Sequence, residues 1–105
     1  CQANEVRNNM DIPTQMMEIL KDRVSKKHFY NAVLHGLPFS TVDAVEAGYL
    51  DEVVSEESLM KAALVKAEDL STLGHPFYEN TKRYAKDETA KVVLEAMNKF
   101  KQKVL

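Results

Sequence analysis

Ser40-Thr41-Val42-Asp43-Ala44-Val45-Glu46-Ala47-Gly48-Tyr49-Leu50-Asp51-Glu52-Val53-Val54 is the stretch that decides the fold. Ser40 is a good N-cap, because its hydroxyl can accept a backbone N–H that the first helical turn leaves unpaired. Asp43 follows three residues later, close to a capping box, and its charge suits the positive end of the helix dipole. Gly48 is the stop, since the residue after a helix often takes a positive φ that only glycine adopts without steric cost. Leu50 to Val54 then reads as a short, β-branched strand. The stretch is therefore a short capped helix, a glycine stop and an extended run.

Upstream, Ala3 to Val6 reads as a strand, and Asn8-Asn9 as the turn that ends it, because asparagine tolerates left-handed geometry. Pro13 suits the opening turn of a helix whose apolar face is Met16, Met17, Ile19 and Leu20. Ser25 is placed to cap a second helix over Lys26 to His35, in which Phe29, Ala32 and Val33 form an i, i+3, i+4 stripe. Gly36 stops it and Pro38 prevents its continuation. Downstream, a long helix is expected from about Glu56 to Leu70, with Leu59, Ala63, Lys66 and Leu70 on adjoining turns and Gly74 closing it. Phe77 to Ala85 reads as another helix. Asp87 is read as the cap of a last one, running to about Lys103. In that helix Val93, Met97, Phe100 and Val104 recur at i, i+4, i+7 and i+11. The sum is one mostly α unit of about five or six helices with one or two short strands.

A chain of 105 residues can bury roughly two-thirds of its unfolded surface. Its 45% hydrophobic content is ordinary for a globular chain. The net charge of −2 provides no basic field to draw nucleic acid or acidic membranes, so neither is expected as a partner. No apolar run approaches the roughly 18 residues of a membrane span. The single cysteine, Cys1, excludes an internal disulfide and fits a reducing, cytoplasmic setting. Because the chain opens on Cys1 in what reads as mid-sheet strand, it is expected to be a piece of a longer protein.

Three stretches carry a family resemblance. "AVEAGYLDEVV", then "SEESLMKAALVKAEDL", then "HPFYENTK" resemble the C-terminal half of the crotonase family, which includes the enoyl-CoA hydratases and isomerases. In that family a short helix ending in Ala-Gly-Leu-Val leads into a strand and a long helix; here Tyr49-Leu50 stands in place of Leu-Val. Gln2-Ala3-Asn4-Glu5-Val6 looks like the family's Pro-Glu-Ile/Val segment near the active site, and Asn8-Asn9 departs from the Ile-Gly usual there. The resemblance covers nearly all of this chain and about half of a typical member.

The resemblance implies the C-terminal part of an α/β fold with a spiral ββα core. Residues 1–13 would then end that core, residues 14–54 would pack helices and a short strand on it, and residues 55–105 would form a helical lid and oligomerisation region. It implies an enzyme of fatty acid metabolism acting on acyl-CoA thioesters: a hydratase (a lyase adding water) or an isomerase. Coenzyme A would enter as part of the substrate, with no covalently bound cofactor. Partners would be the upstream half of the fold and further copies, as a homotrimer or hexamer. A non-catalytic helical oligomerisation fragment is the alternative.

Glu5 is the candidate catalytic residue, since the family's glutamate in this segment handles the proton of the acyl thioester. Such chemistry needs a carboxylate in a dry pocket, where desolvation brings its proton affinity toward the working pH. The plain alternative is a solvated strand glutamate. The oxyanion hole and the second glutamate of the hydratase pair belong, by the same resemblance, to the upstream half. Lys82 matches a lysine of the helices that help cover the CoA nucleotide and could meet a phosphate as a point charge; the alternative is a solvated helix lysine. The family's Phe-x-x-Lys near the end has no clear counterpart around Phe100. Lys21, Arg23, Lys26 and Lys27 form a basic cluster that reads as a solvated face. His28 and His35 lie seven residues apart, about two turns, too far to share a metal, and no Cys/His set has zinc spacing. Most of the scattered aromatics read as core.

Overall fold

Five α-helices and two single-turn 3-10 segments make up the chain in the computed structural model, which describes the backbone of residues 1–104 and side chains up to Lys103. The helices are α1 (Thr14–Arg23), α2 (Lys26–Val33), α3 (Thr41–Ala47), α4 (Leu59–Ser71) and α5 (Phe77–Val104). The 3-10 turns are Val6–Asn8 and Glu56–Ser58.

The opening stretch folds as its residues dictate. Ser40 precedes α3 in extended geometry, and its Oγ accepts the Asp43 N–H at 3.1 Å. Gly48 ends the helix at φ 100° and returns its N–H to the carbonyls of Ala44 and Val45. Replacing Ser40 by Ala removes the cap acceptor and is expected to cost about 1 kcal/mol, read as a lower urea midpoint at unchanged slope. An unchanged midpoint would show that water caps α3 equally well.

Both expected strands are absent among the described residues. Glu5 has helical angles (φ −56°, ψ −50°), and the turn that follows closes with Asn9 in left-handed geometry at φ 58°. A strand needs a ladder, and here the backbone offers only one pair. Cys1 and Phe39 exchange both backbone hydrogen bonds, at 3.0 and 2.8 Å, and nothing extends them. Local bonds take over instead: the N–H groups of Asn8 and Met10 both reach the Glu5 carbonyl at 2.9 Å. Residues 50–54 stay irregular for the same reason, and the Leu50 N–H turns back to the Ala44 carbonyl at 3.2 Å.

The last two expected helices are one. α5 runs 28 residues through Asp87. The sequence from 77 to 104 contains neither glycine nor proline, and Asp87 pairs with Lys91 one turn on, at 3.0 Å. At 1.5 Å per residue α5 is about 42 Å long, which accounts for the molecule's longest dimension of 43 Å. Its main contact is with α1, where Asp22 accepts from Lys86 Nζ at 2.6 Å. The partly covered residues of the two helices are Gln15, Met17, Glu18 and Leu20 on α1 and Thr89, Val92, Val93 and Ala96 on α5. Of the stripe read along the last helix, Met97 and Phe100 are exposed and the Val104 side chain lies outside the described residues. α4 ends at Ser71, before Gly74.

Seven of the described residues are buried: Ala3, Val24, Ala32, Val33, Gly36, Ala44 and Ala47. They are small, and they gather α2, α3 and the N-terminal segment into one minor core. The accessible surface is 8610 Å², against about 6,000 Å² for a compact monomer of this length and about 17,000 Å² unfolded. Folding therefore hides about half of the chain's surface, less than the two-thirds its length allows. The radius of gyration agrees: 16.6 Å, where a compact chain gives about 13 Å. The excess comes largely from α4 and α5. On α4, Leu59, Met60, Leu64 and Val65 are all more than half exposed, and the helix packs mainly on its own leading turn. This chain taken alone is expected to self-associate at micromolar concentration, because apolar surface of that extent is costly in water. Sedimentation as a clean monomer with a sharp cooperative melt would count against it.

Candidate functional site

The N-terminal segment is tied down along residues 35–39. Besides the Cys1–Phe39 pair, Gln2 Nε2 donates to the Gly36 carbonyl at 2.9 Å and Arg7 Nε to the His35 carbonyl at 2.8 Å. The approach is close because Gly36 has no side chain. A Cβ there would meet the Ala3 carbonyl and Arg7 Cγ, both at 3.2 Å, on a backbone already at φ 57°. Glu5 sits in the middle of this tied segment, half-buried. Its Oε2 is shielded from solvent and has no hydrogen-bond partner among the described residues.

Tyr49 packs on Phe39, the residue whose backbone pairs with Cys1. Gly48 turns the chain out of α3 and delivers Tyr49 onto Phe39, with ring centroids 5.3 Å apart and planes at 54°. Phe39 in turn receives the edge of His28 at 6.1 Å. The Tyr49 hydroxyl is likewise buried without a partner. Burial, and secondly the negative charge of Glu5, push its proton affinity above the ordinary phenol range. The phenol is therefore neutral and a hydrogen-bond donor at neutral pH. Chemically the site is a carboxylate and a neutral phenol against an aromatic wall, with one unfilled acceptor and one unfilled donor.

Lys82 lies elsewhere, on the exposed first third of α5, with its Nζ 6.0 Å from the Tyr78 ring centroid. It lines a shallow groove with His75, Tyr78, Glu79, Arg83 and Lys86, which no residue of the Glu5 cluster reaches. Arg83 is paired with Glu79 and Lys86 with Asp22, whereas Lys82 forms no ion pair among the described residues. Of the basic cluster, Arg23 binds Asp51 at 2.7 Å, while Lys21, Lys26 and Lys27 border an open cleft of about 670 Å³ floored by Val24, Phe29 and Tyr30. His35 bonds Asn31 at 3.1 Å. The site residue that sequence reading missed is Tyr49. Its signal was the departure from Leu at that position, a polar tip where an aliphatic side chain is usual.

Solved structures that superpose on the chain include an enoyl-CoA hydratase from Mycobacterium marinum (30% identity, TM-score 0.84) and an enoyl-CoA hydratase/isomerase family protein from Pseudomonas syringae (30%, 0.83). The first match covers 92% of this chain and 43% of the other, the second 97% and 44%. The chain has the C-terminal half of the crotonase fold. An enoyl-CoA isomerase from Mycobacterium tuberculosis matches as well, at 26% identity and TM-score 0.84 over 92% of this chain and 43% of that one. The chain thus spans less than half the length of these crotonase structures. No family model and no curated protein matches it.

Proposed function

We propose that this chain is part of a crotonase-type enzyme acting on acyl-CoA thioesters, with Glu5 as its acid/base, most simply an enoyl-CoA hydratase. The observation that carries the reading is the Glu5 carboxylate, one oxygen of which is buried and unfilled inside a crotonase half-fold. A carboxylate without internal partners is available to take a proton from water or from the α-carbon of a thioester. The developing enolate would be met by an oxyanion hole in the upstream half of the fold. The apolar faces of α4 and α5 would be covered by that half and by further copies, as a trimer or hexamer. Lys82, exposed and without an ion-pair partner, is the residue proposed to meet a CoA phosphate.

The experiment is Glu5→Gln in the complete polypeptide, assayed on short and medium enoyl-CoA esters. Undiminished turnover would remove Glu5 from the chemistry. Isomerisation is the second reading. One carboxylate suffices to carry a proton between two carbons, and the Mycobacterium tuberculosis neighbour is named an isomerase in one solved structure and a probable hydratase in another. Product analysis separates the two: a 3-hydroxyacyl ester for hydration, a shifted double bond for isomerisation.

A further inference from the structure

We propose that the cleft where α1 passes into α2 is a second ligand site and takes a nucleotide, with the base on its aromatic floor and the phosphates among its lysines. The cleft has a volume of about 670 Å³, inside the range of roughly 300–1,000 Å³ typical of small-molecule sites. Its floor is Val24, Phe29 and Tyr30, and its border is Lys21, Lys26 and Lys27. Val24 is buried and anchors the floor in the minor core. The Phe29 and Tyr30 rings lie 5.8 Å apart with their planes at 52°. Phe29 is half-buried, whereas Tyr30 is 65% exposed. An aromatic face left open beside an apolar wall is a stacking platform for a flat partner.

The charges around the cleft select the other half of the ligand. No acidic residue lines it. Carboxylates of the adjoining elements are engaged elsewhere, Asp22 with Lys86 and Asp51 with Arg23. Glu18 lies 3.6 Å from Lys21, too far for a hydrogen bond. Lys26 and Lys27 form no ion pair among the described residues. Three ammonium groups at one cleft repel one another, and a multiply charged anion relieves that repulsion where a single carboxylate leaves most of it. Lysine meets phosphate as a flexible point charge, so the three need no fixed geometry to do so. The chain as a whole carries a net charge of −2, so this positive patch is local. It suits a small anion, whereas a nucleic acid or an acidic membrane calls for a broad basic field. Among small anions, one that also carries a flat ring uses the floor as well as the border, and a nucleotide is the class with both. None of the six residues belongs to the Glu5 segment or to the groove of Lys82, so the cleft is separate from the site proposed for the thioester.

The test is calorimetry of ADP with the complete polypeptide, in the absence of any acyl-CoA. Binding is expected with a Kd on the order of 1–100 μM. Adenosine alone and inorganic pyrophosphate alone should each bind about tenfold more weakly or worse, because each uses only half of the cleft. Replacing Lys26 and Lys27 together by Ala is expected to weaken ADP by about 10- to 100-fold, the scale of lost charge-assisted bonds. Tyr30→Ala should weaken it about tenfold, and Tyr30→Phe, which keeps the ring, should restore it. All three residues are exposed, so the variants are expected to fold as the parent does. Lys82→Ala should leave ADP binding as it was, and added salt should weaken it. No ADP binding up to about 1 mM overturns the inference. So does binding that survives the double lysine replacement, or that Lys82→Ala removes. A KM for enoyl-CoA that rises in the double variant by the factor ADP loses would make the cleft the thioester's own nucleotide site, and also overturns it. ADP binding needs no turnover, so its failure leaves the Glu5 reading standing.

Discussion

Glu5→Gln is expected to lower kcat by a factor of about 10² to 10⁴, the contribution of a positioned general acid or base, with KM changed no more than a few-fold. Glutamine keeps the length and shape of the side chain and can still accept a hydrogen bond through one oxygen. It cannot take and return a proton at neutral pH. The fall should therefore appear in kcat and in kcat/KM to the same degree, the pattern of an interaction made in the transition state alone. Folding should be unaffected, because the Glu5 carboxylate makes no hydrogen bond or ion pair among the described residues that glutamine would lose. What anchors the segment is its backbone, which accepts from Asn8 and Met10, together with the side chains of Gln2 and Arg7. A drop in thermal stability alongside the loss of activity would point instead to a structural glutamate. The steady-state constants and the melting curve of the same preparation decide between them.

The elements with local causes were legible in the sequence. Ser40 and Gly48 bound α3 because a cap acceptor and a left-handed stop act over four or five residues and need nothing from elsewhere. The two strands were not legible correctly. A β-branched run such as Val53-Val54 states a preference, and only a neighbouring strand turns it into structure. Asp87 was read as a cap because aspartate favours that position over a helix interior; with neither glycine nor proline to stop it the helix runs on, and Asp87 pairs with Lys91 instead. As for the site, Glu5 was reached through the family resemblance, since one glutamate in a short polar segment carries no signal of its own. Tyr49 was readable only as a departure. The placement of each depends on Gly36 admitting the N-terminal backbone and on Gly48 turning the chain onto Phe39, contacts between separate elements that no local pattern announces.

Gly48→Ala is expected to be the most damaging single-methyl substitution in the chain. Two effects add. At φ 100° an alanine sits in a region that L-residues rarely enter, which costs about 1 to 3 kcal/mol. Its Cβ would also lie 2.6 Å from the Arg23 carbonyl oxygen, with Ser25 N at 3.5 Å and Val24 Cα at 3.6 Å. All three are backbone atoms at the α1–α2 joint, so no side chain can swing aside. The joint cannot retreat cheaply either, because the Ser25 N–H is bonded to the Ala47 carbonyl at 2.8 Å and Val24 is buried. A loss of about 3 kcal/mol is expected, several times that of Ser40→Ala. In a domain stable by roughly 5–15 kcal/mol this is a large fraction. The displacement would pass to the next residue, Tyr49, and open its contact with Phe39. Urea midpoints for the two variants, measured side by side in the complete polypeptide, test the ranking. A Gly48→Ala loss no larger than that of Ser40→Ala would mean that α3 is free to pivot at its glycine.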